Sequence, residues 1–453
     1  MNRFEKALLT IFFIELFVGG GGRLIDFGVL SIRQVLFLLL VFTYIVRIFK
    51  EKWFFNKERN KFIRLTPVTA GIYSLIIWFV VSGVIGFVKG HPLGAIVTDF
   101  FRVSFFVVYF PLAYYISKER FPLQRIITIL KYCAIVVSIF TITVSLLGKT
   151  VFSNNFQPFY AFMNTIMNDD LYFRPSNSVF YKSHFFVLIG IVIALNELLN
   201  KKSSKLNIAI IIFGSVSVLW SETRGFLLAF MLSVLTIIIL DMKVLLDPIK
   251  GLVQKMQKLL HTRQFIRKMT IALMVMIAVP FLYKYMTLER FQQTTVVEKA
   301  PSADSEDQYG NQKDQPEVND ESVNARMAFI LDSKNILVHP ANLIFGTGYG
   351  TEIAGRITGI EMSFLDILVE QGLIGLAIWG FLFLIVYYNY YAAYRKGYKL
   401  STLDISLLSA FMGILLLTNI NPFINNPIGI SFFLVLLVVS QNIKDNIQNE
   451  ELA

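Results

Sequence analysis

Three groups of residues carry the chemistry this sequence offers. In Ser221-Glu222-Thr223-Arg224-Gly225 an arginine stands where an apolar run begins, beside the positive end of a helix dipole. That arrangement suits a phosphate or pyrophosphate, with Thr223 as helix cap and Gly225 leaving room for a ligand against the backbone. An interfacial anchor in a helical hairpin is the plainer reading of the same residues. The second group begins at Arg326 and passes through Pro340-Ala341-Asn342-Leu343-Ile344-Phe345-Gly346-Thr347-Gly348-Tyr349-Gly350. It continues to Glu361-Met362-Ser363, Asp366 and Glu370-Gln371-Gly372-Leu373-Ile374-Gly375. Gly346, Gly348 and Gly350 are expected to form a turn able to cradle an anion, without the spacing or lysine of a nucleotide-binding P-loop. The third group, Asn168-Asp169-Asp170, is either an acidic pair for a metal or a solvated turn.

What must position these groups is a set of membrane spans. The 453 residues are 55% hydrophobic and only 16% charged, whereas a soluble domain carries about 25% charged residues. Apolar runs recur nearly end to end, and each of ~20 residues is long enough to span a bilayer. About twelve are expected, near 5–19, 28–48, 67–88, 96–116, 126–147, 179–198, 206–220, 225–241, 270–288, 363–390, 404–421 and 427–443. The first reads as an uncleaved span, because Gly19 to Gly22 offer no small-x-small cleavage site. Cys133 is the single cysteine, which excludes an internal disulfide and a cysteine zinc cluster. The chain shows no fixed-period repeat, so an inverted-repeat transporter gains no support.

The formal charge of +11 resembles that of a nucleic-acid binder, but its distribution is topological. Basic residues crowd 47–64 and 242–268 (Lys243, Lys250, Lys255, Lys258, Arg263, Arg267, Lys268), with smaller groups near 118–125, 201–205 and 395–399. The positive-inside rule puts all of these, and both termini, in the cytoplasm. Residues 1–288 then hold nine spans, 289–362 one large outer loop, 363–443 three more spans and 444–453 a cytoplasmic tail. Within the loop, 292–324 reads as a flexible acidic tether and 326–361 as a partly folded functional segment.

Charges inside a bilayer are costly, so their depth is informative. Arg33, Asp99 with Arg102, Lys182, His184, Arg224, Asp366 and Glu370 all fall toward the outer ends of their spans. Asp99 and Arg102 are three apart on one helical face and can pair. Lys131, Glu197 and Asp241 sit at inner ends, where snorkelling accounts for them. The outer set reads as a shared polar cavity opening outward, or as a series of separate anchors.

These pieces, in this order and topology, resemble the O-antigen polymerase/ligase family of bacterial envelope glycosyltransferases (Wzy-type polymerases and O-antigen ligases). The resemblance covers most of the chain as architecture and is sharpest from Arg326 through Glu370-Gln371-Gly372-Leu373-Ile374-Gly375. It implies an all-α polytopic, GT-C-like transferase in the cytoplasmic (inner) membrane, without metal or cofactor. Its substrate would be an undecaprenyl-pyrophosphate-linked glycan at the outer face. The lipid bilayer and a chain-length regulator would be its partners, and nucleic acid would not. By position, Arg224 matches the arginine of the family's first outer motif and Arg326 the arginine that opens the late loop. Both would neutralise the departing pyrophosphate. At Glu361 the chain leaves the ligase pattern, a histidine followed by Asn or Ser, and this favours a polymerase. Glu361 becomes the candidate general base, with His339 and Asp366 as alternatives. Arg174, Arg33, Arg102, Lys182, His184, Gly348 and Gly350 are the expected substrate contacts. Aromatic residues of the first outer loop, Phe152, Phe156, Phe159, Tyr160, Phe162, Tyr172 and Phe173, either stack sugars or are ordinary interface aromatics. Competing readings are a ligase, or a flippase whose polar residues would spread along the full membrane depth.

Overall fold

The structure, a computed structural model, describes residues 1–452 apart from 23, 28, 29, 175, 203, 242–262, 298–320 and 358. It is mostly helical: α1 (Arg3–Val18), α2 (Ile32–Lys50), α3 (Pro67–Val88), α4 (Leu93–Ser104), α5 (Tyr109–Tyr115), α6 (Leu123–Lys149), α7 (Phe156–Met167) and α8 (His184–Leu199). There follow α9 (Lys205–Trp220), α10 (Arg224–Asp241), α11 (Arg263–Val297), α12 (Glu321–Leu337), α13 (Pro340–Phe345), α14 (Ser363–Arg395), α15 (Thr402–Leu417) and α16 (Pro427–Leu452). Two antiparallel hairpins, Asp26–Phe27 with Leu30–Ser31 and Leu171–Phe173 with Val179–Tyr181, lie in the connections. Among the described residues eight helical segments are long and apolar enough to cross a membrane, one of them the composite Leu93–Tyr115, and α8, α9 and α15 are shorter apolar helices.

Local chemistry sets the helix starts. Reciprocal side-chain and backbone hydrogen bonds join Asn2 to Glu5, Ser31 to Gln34, Thr66 to Thr69 and Ser401 to Asp404, satisfying donors that a helix leaves open. Pro67 opens α3, where its missing N–H costs nothing. The apolar faces meet around aromatic contacts such as Phe106 with Trp379, Phe383 with Phe433 and Phe411 with Phe433.

The helices differ from the sequence expectation in four places, the last of them the break in α14 described below. The fourth span is interrupted by a 3-10 turn, Phe105–Val108, because Pro111 lacks an N–H and crowds the carbonyl of Val107. Residues 179–181 are a strand, so α8 begins only at His184 and Lys182 sits in the turn before it. Of the expected tether, 292–297 and 321–324 are helical; 298–320, like Lys243, Lys250, Lys255 and Lys258, lie outside the described residues. Lys131, Glu197 and Asp241 do more than snorkel: Lys131 is 2.6 Å from Glu197 and donates to Asn207, and Lys268 pairs with Asp241.

The break that matters most is in α14. Gly372 has φ 67° and ψ −173°, which ends one helical run and starts another. The carbonyls freed there must find other donors in an apolar interior. Val369 accepts from Thr347 N at 2.8 Å, Glu370 from Gly348 N at 3.0 Å, and Gln371 from the Trp78 indole at 2.8 Å. The irregular Gly346–Gly350 segment is thus laid against the break by backbone hydrogen bonds, continuing with Tyr349 N to Ser82 O at 3.1 Å. Its glycines are required by positive φ (83°, 89° and 77°) and by contact: a Cβ on Gly346 would collide with the Glu370 carbonyl, and one on Gly348 with Gly86 N.

Replacing Gly372 by Ala should therefore be costly. Positive φ with ψ near 180° is essentially a glycine conformation, costing another residue about 1–3 kcal/mol, and the new methyl would collide with the Ile344 carbonyl. Gly380→Ala, on the same helix but facing open space, is the control. Thermal melting in detergent should show Gly372→Ala well below wild type and Gly380→Ala at or above it; equal melting of the two would remove the break as a structural requirement.

Candidate functional site

Beneath the glycine segment lies a buried ionic cluster. The Arg102 guanidinium is 3.0 Å from Asp99, 3.2 Å from Asp366 and 3.7 Å from Glu370. Asp99 comes from the same helix turn as Arg102, and the two acids of α14 stand one turn apart on the run that ends at Gly372. Gly350 N donates to Asp99 at 3.1 Å, and Asn425 Nδ2 to Asp366 at 2.7 Å. The Tyr349 hydroxyl is buried with no hydrogen-bond partner, and burial together with the charge of Glu370 raises its pKa well above the ordinary phenol value. Asp99 and Arg102 pair as their spacing anticipates. The anion cradle is not formed by Gly348 and Gly350: their N–H groups are already held by Glu370 and Asp99. The Arg102 charge is likewise met by three carboxylates, and Asp366 is closed off from a substrate hydroxyl.

More open groups gather around the α15–α16 turn. Arg326 Nη2 donates to the Ile420 carbonyl at 3.3 Å and pairs with Glu361 at 3.3 Å; Arg356 meets the other oxygen of Glu361 at 3.7 Å and stacks over Phe329 at 5.1 Å. The side chains of Arg326, Glu361 and Arg356 are 25%, 31% and 48% exposed, against 12% for Arg102, so this trio is the more accessible of the two charged groups. A small core of Phe329, Ile353, Ile360 and Val369 joins α12, the Ile353–Arg356 turn, Ile360 and the start of α14. Glu361 does not cap α14; the cap position is Met362, without a side-chain hydrogen bond.

Arg224 opens α10 and is partly buried. A Cβ on the adjacent Gly225 would stand 3.1 Å from Leu417, 3.2 Å from Ile420 and 3.3 Å from Asn421, so the space is filled by the α15–α16 turn, not left for a ligand. The same turn reaches the ionic cluster through Asn425 and through Thr418, whose hydroxyl contacts Ser363 at 2.9 Å. Sequence reasoning missed this turn and missed Arg356. The dipeptides Asn421-Pro422 and Asn426-Pro427 marked a turn, and four asparagines in a short apolar connection were the signal that it is also polar.

The remaining expected contacts are committed elsewhere. Arg174 braces the Ser221–Gly225 turn through Ser221 O (3.2 Å) and Thr223 Oγ1 (3.1 Å) and lies over Phe180. Arg33 pairs with Glu15 at 3.1 Å in a separate corner. There Lys182 meets Asp170 at 3.0 Å; burial would lower the ammonium pKa, but the Asp170 charge outweighs it and the net shift is upward. His184 is fully buried, with Nε2 on Ser217 at 2.8 Å and Nδ1 on the Tyr181 backbone. The outer charges therefore form separate networks, not one cavity. Asp170 also accepts from Gly21 N, and Asp169 is exposed in a left-handed turn. Among the described residues no group of three or more His, Cys, Asp or Glu is arranged to hold a metal ion. His339 is exposed before α13, and Phe152, Phe156, Phe159, Tyr160 and Phe173 pack on one another.

Long apolar helices, a broken span stitched by a loop segment, and ionisable side chains gathered at the connections define a polytopic all-α integral membrane protein. No family model matches the chain. Over 450 residues, 97% of this chain and 95% of the relative, it is 27% identical to an O-antigen polymerase of Shigella flexneri. The similarity runs end to end and bears out the resemblance to the Wzy-type O-antigen polymerases.

Because Arg102 neutralises buried carboxylates, its loss should be structural. Removing one partner of a buried ion pair costs about 3–5 kcal/mol. Arg102→Ala should melt far below wild type, and adding Glu370→Gln should recover part of the loss. If Arg102→Ala melts like wild type, the cluster is not holding the helices together.

Proposed function

We propose that this chain polymerises undecaprenyl-pyrophosphate-linked repeat units into a surface polysaccharide at the outer face of the cytoplasmic membrane. The end-to-end similarity to an O-antigen polymerase supports the reaction class. One observation supports the site: Glu361 bridges Arg326 and Arg356 on a partly open surface, beside the turn against which the Arg224 end of α10 packs. In this reading the connections bearing that trio face outward, both termini are cytoplasmic, and 326–361 is the functional part of the large loop.

The donor sugar carries a pyrophosphate leaving group, so the chain must neutralise departing charge and take a proton from the acceptor. Arg224 and Arg326 bind the pyrophosphate oxygens, where forked guanidiniums suit paired oxygens and no metal is required. A pyrophosphate on Arg326 competes with Glu361 for the same guanidinium and so releases the carboxylate as the substrate arrives. Glu361 then accepts the proton of the acceptor hydroxyl while its oxygen attacks the anomeric carbon. The bond from that carbon to the phosphate oxygen breaks, and the electron pair leaves with undecaprenyl pyrophosphate. Arg356 holds Glu361 in orientation. A chain-length regulator would act on the product distribution from outside this site.

Purified protein in proteoliposomes with labelled lipid-linked repeat units should yield a ladder of longer glycans. Transfer to another acceptor, or movement across the vesicle without new bonds, would overturn the reading. Arg224→Ala and Arg326→Ala should abolish the ladder with protein level unchanged, and the Lys variants should remain impaired.

Two further measurements address the base and the metal. Glu361→Gln should lower the single-turnover rate by roughly 10²-fold or more at saturating substrate; a rate within a few-fold of wild type would rule it out as the base. Activity should survive EDTA, and loss restored by Mg²⁺ would overturn metal independence.

A further inference from the structure

An open groove lies beside the Gly346–Gly350 segment, of which Thr347 and Gly350 line it. Its volume is about 550 Å³, between the Lys89–Pro92 turn and the segments around Ile336, Asn342, Gly350–Glu352 and Ile357. Its position is fixed by contacts already described, since Gly350 N sits on Asp99 and a Cβ on Gly86 would collide with the Tyr349 carbonyl.

His91 is the group whose chemistry is most constrained there. Its Nδ1 is 2.8 Å from the Tyr349 carbonyl oxygen. A carbonyl can only accept, so Nδ1 carries a proton, and the tautomer this fixes for the neutral ring is the one with its lone pair on Nε2. Among the described residues Nε2 takes no hydrogen bond. Asn342 is oriented in the same way: its amide donates to Ile336 O at 2.9 Å, and its oxygen accepts from Lys89 Nζ at 2.8 Å. The one lysine among the lining residues is thus engaged, and the acidic Glu352 also lines the groove. A pyrophosphate site would need several convergent cations. This groove instead pairs aliphatic walls (Pro92, Ile336, Ile357) with a few oriented donors and acceptors, the mixture that suits a sugar's C–H faces and hydroxyl groups.

We propose that this groove is a saccharide subsite, taking a sugar of the acceptor glycan with His91 Nε2 accepting a hydrogen bond from one of its hydroxyls. The proposal rests on the polymerase reading for its substrate class. Continuity with the reacting groups comes through Ile357, which walls the groove next to Arg356, itself on Glu361.

The test uses full-length protein in detergent and two probes: lipid-free polysaccharide released by mild acid from the host cell's own surface polymer, and inorganic pyrophosphate. Loss of one hydrogen bond should weaken saccharide binding about tenfold in His91→Ala, with pyrophosphate binding unchanged. His91→Gln, which keeps an acceptor near the Nε2 position, should recover part of the affinity. Glu352→Ala, a substitution of an exposed lining residue, should also weaken saccharide binding, which keeps the test usable if His91→Ala is poorly folded. Unchanged saccharide affinity in the folded variants, or a selective loss of pyrophosphate, would overturn the subsite. Wild-type protein that binds the saccharide through His91 yet makes no ladder in proteoliposomes would overturn the polymerase reading and leave the subsite standing.

Discussion

A helix that stops and restarts inside a membrane leaves carbonyl oxygens with nowhere to turn, and the rest of this face follows from how α14 answers that need at Gly372. Water is scarce at that depth, so the donors must come from the chain. They come from the backbone of Thr347 and Gly348 and from the indole of Trp78. Once the loop segment is laid against the break, Gly350 falls on Asp99, Tyr349 on Gly86 and α3, and α14 presents Asp366 and Glu370 to Arg102. The glycine segment, the break and the ionic cluster are thus joined by direct contacts into one unit.

The cluster also carries order outward. Asp366 holds Asn425, and Ser363 meets Thr418, so the α15–α16 turn is pinned from below. From above, that turn accepts Arg326 through Ile420 and packs on Gly225 at the head of α10. Arg326, Glu361 and the Arg224 end of α10 come from distant parts of the chain, and this turn is the piece they share. Buried charges form the lower layer, and half-exposed charges rest on it.

Much of the fold was legible in the sequence because the relevant signals are local. Apolar run lengths and caps such as Thr66-Pro67 and Ser401 mark where helices begin, and a three-residue spacing paired Asp99 with Arg102. The pairing of Arg326 with Glu361 was not predicted as a contact, although both residues were singled out. The glycine segment was misread for a physical reason. Positive φ at Gly346, Gly348 and Gly350 is needed equally by an anion cradle and by a backbone pressed against helices; only tertiary contacts separate the two. Gly372 was hidden because one glycine in an apolar run is compatible with an unbroken helix. His184 looked available at a span terminus, yet the hairpin before it and Ser217 close over both ring nitrogens.

The Asp99–Arg102 pair has a further consequence during biosynthesis. Arg102 is 264 residues ahead of Asp366 in the chain. At roughly 5–20 residues per second, the ribosome takes tens of seconds to deliver the later partners. For that interval the fourth helix must sit in the bilayer with its arginine already in place. An aspartate one turn away on the same helix lets the segment enter as a locally neutral dipole, needing no other span. When α14 arrives it meets a guanidinium that is already oriented, and its two acids complete the cluster.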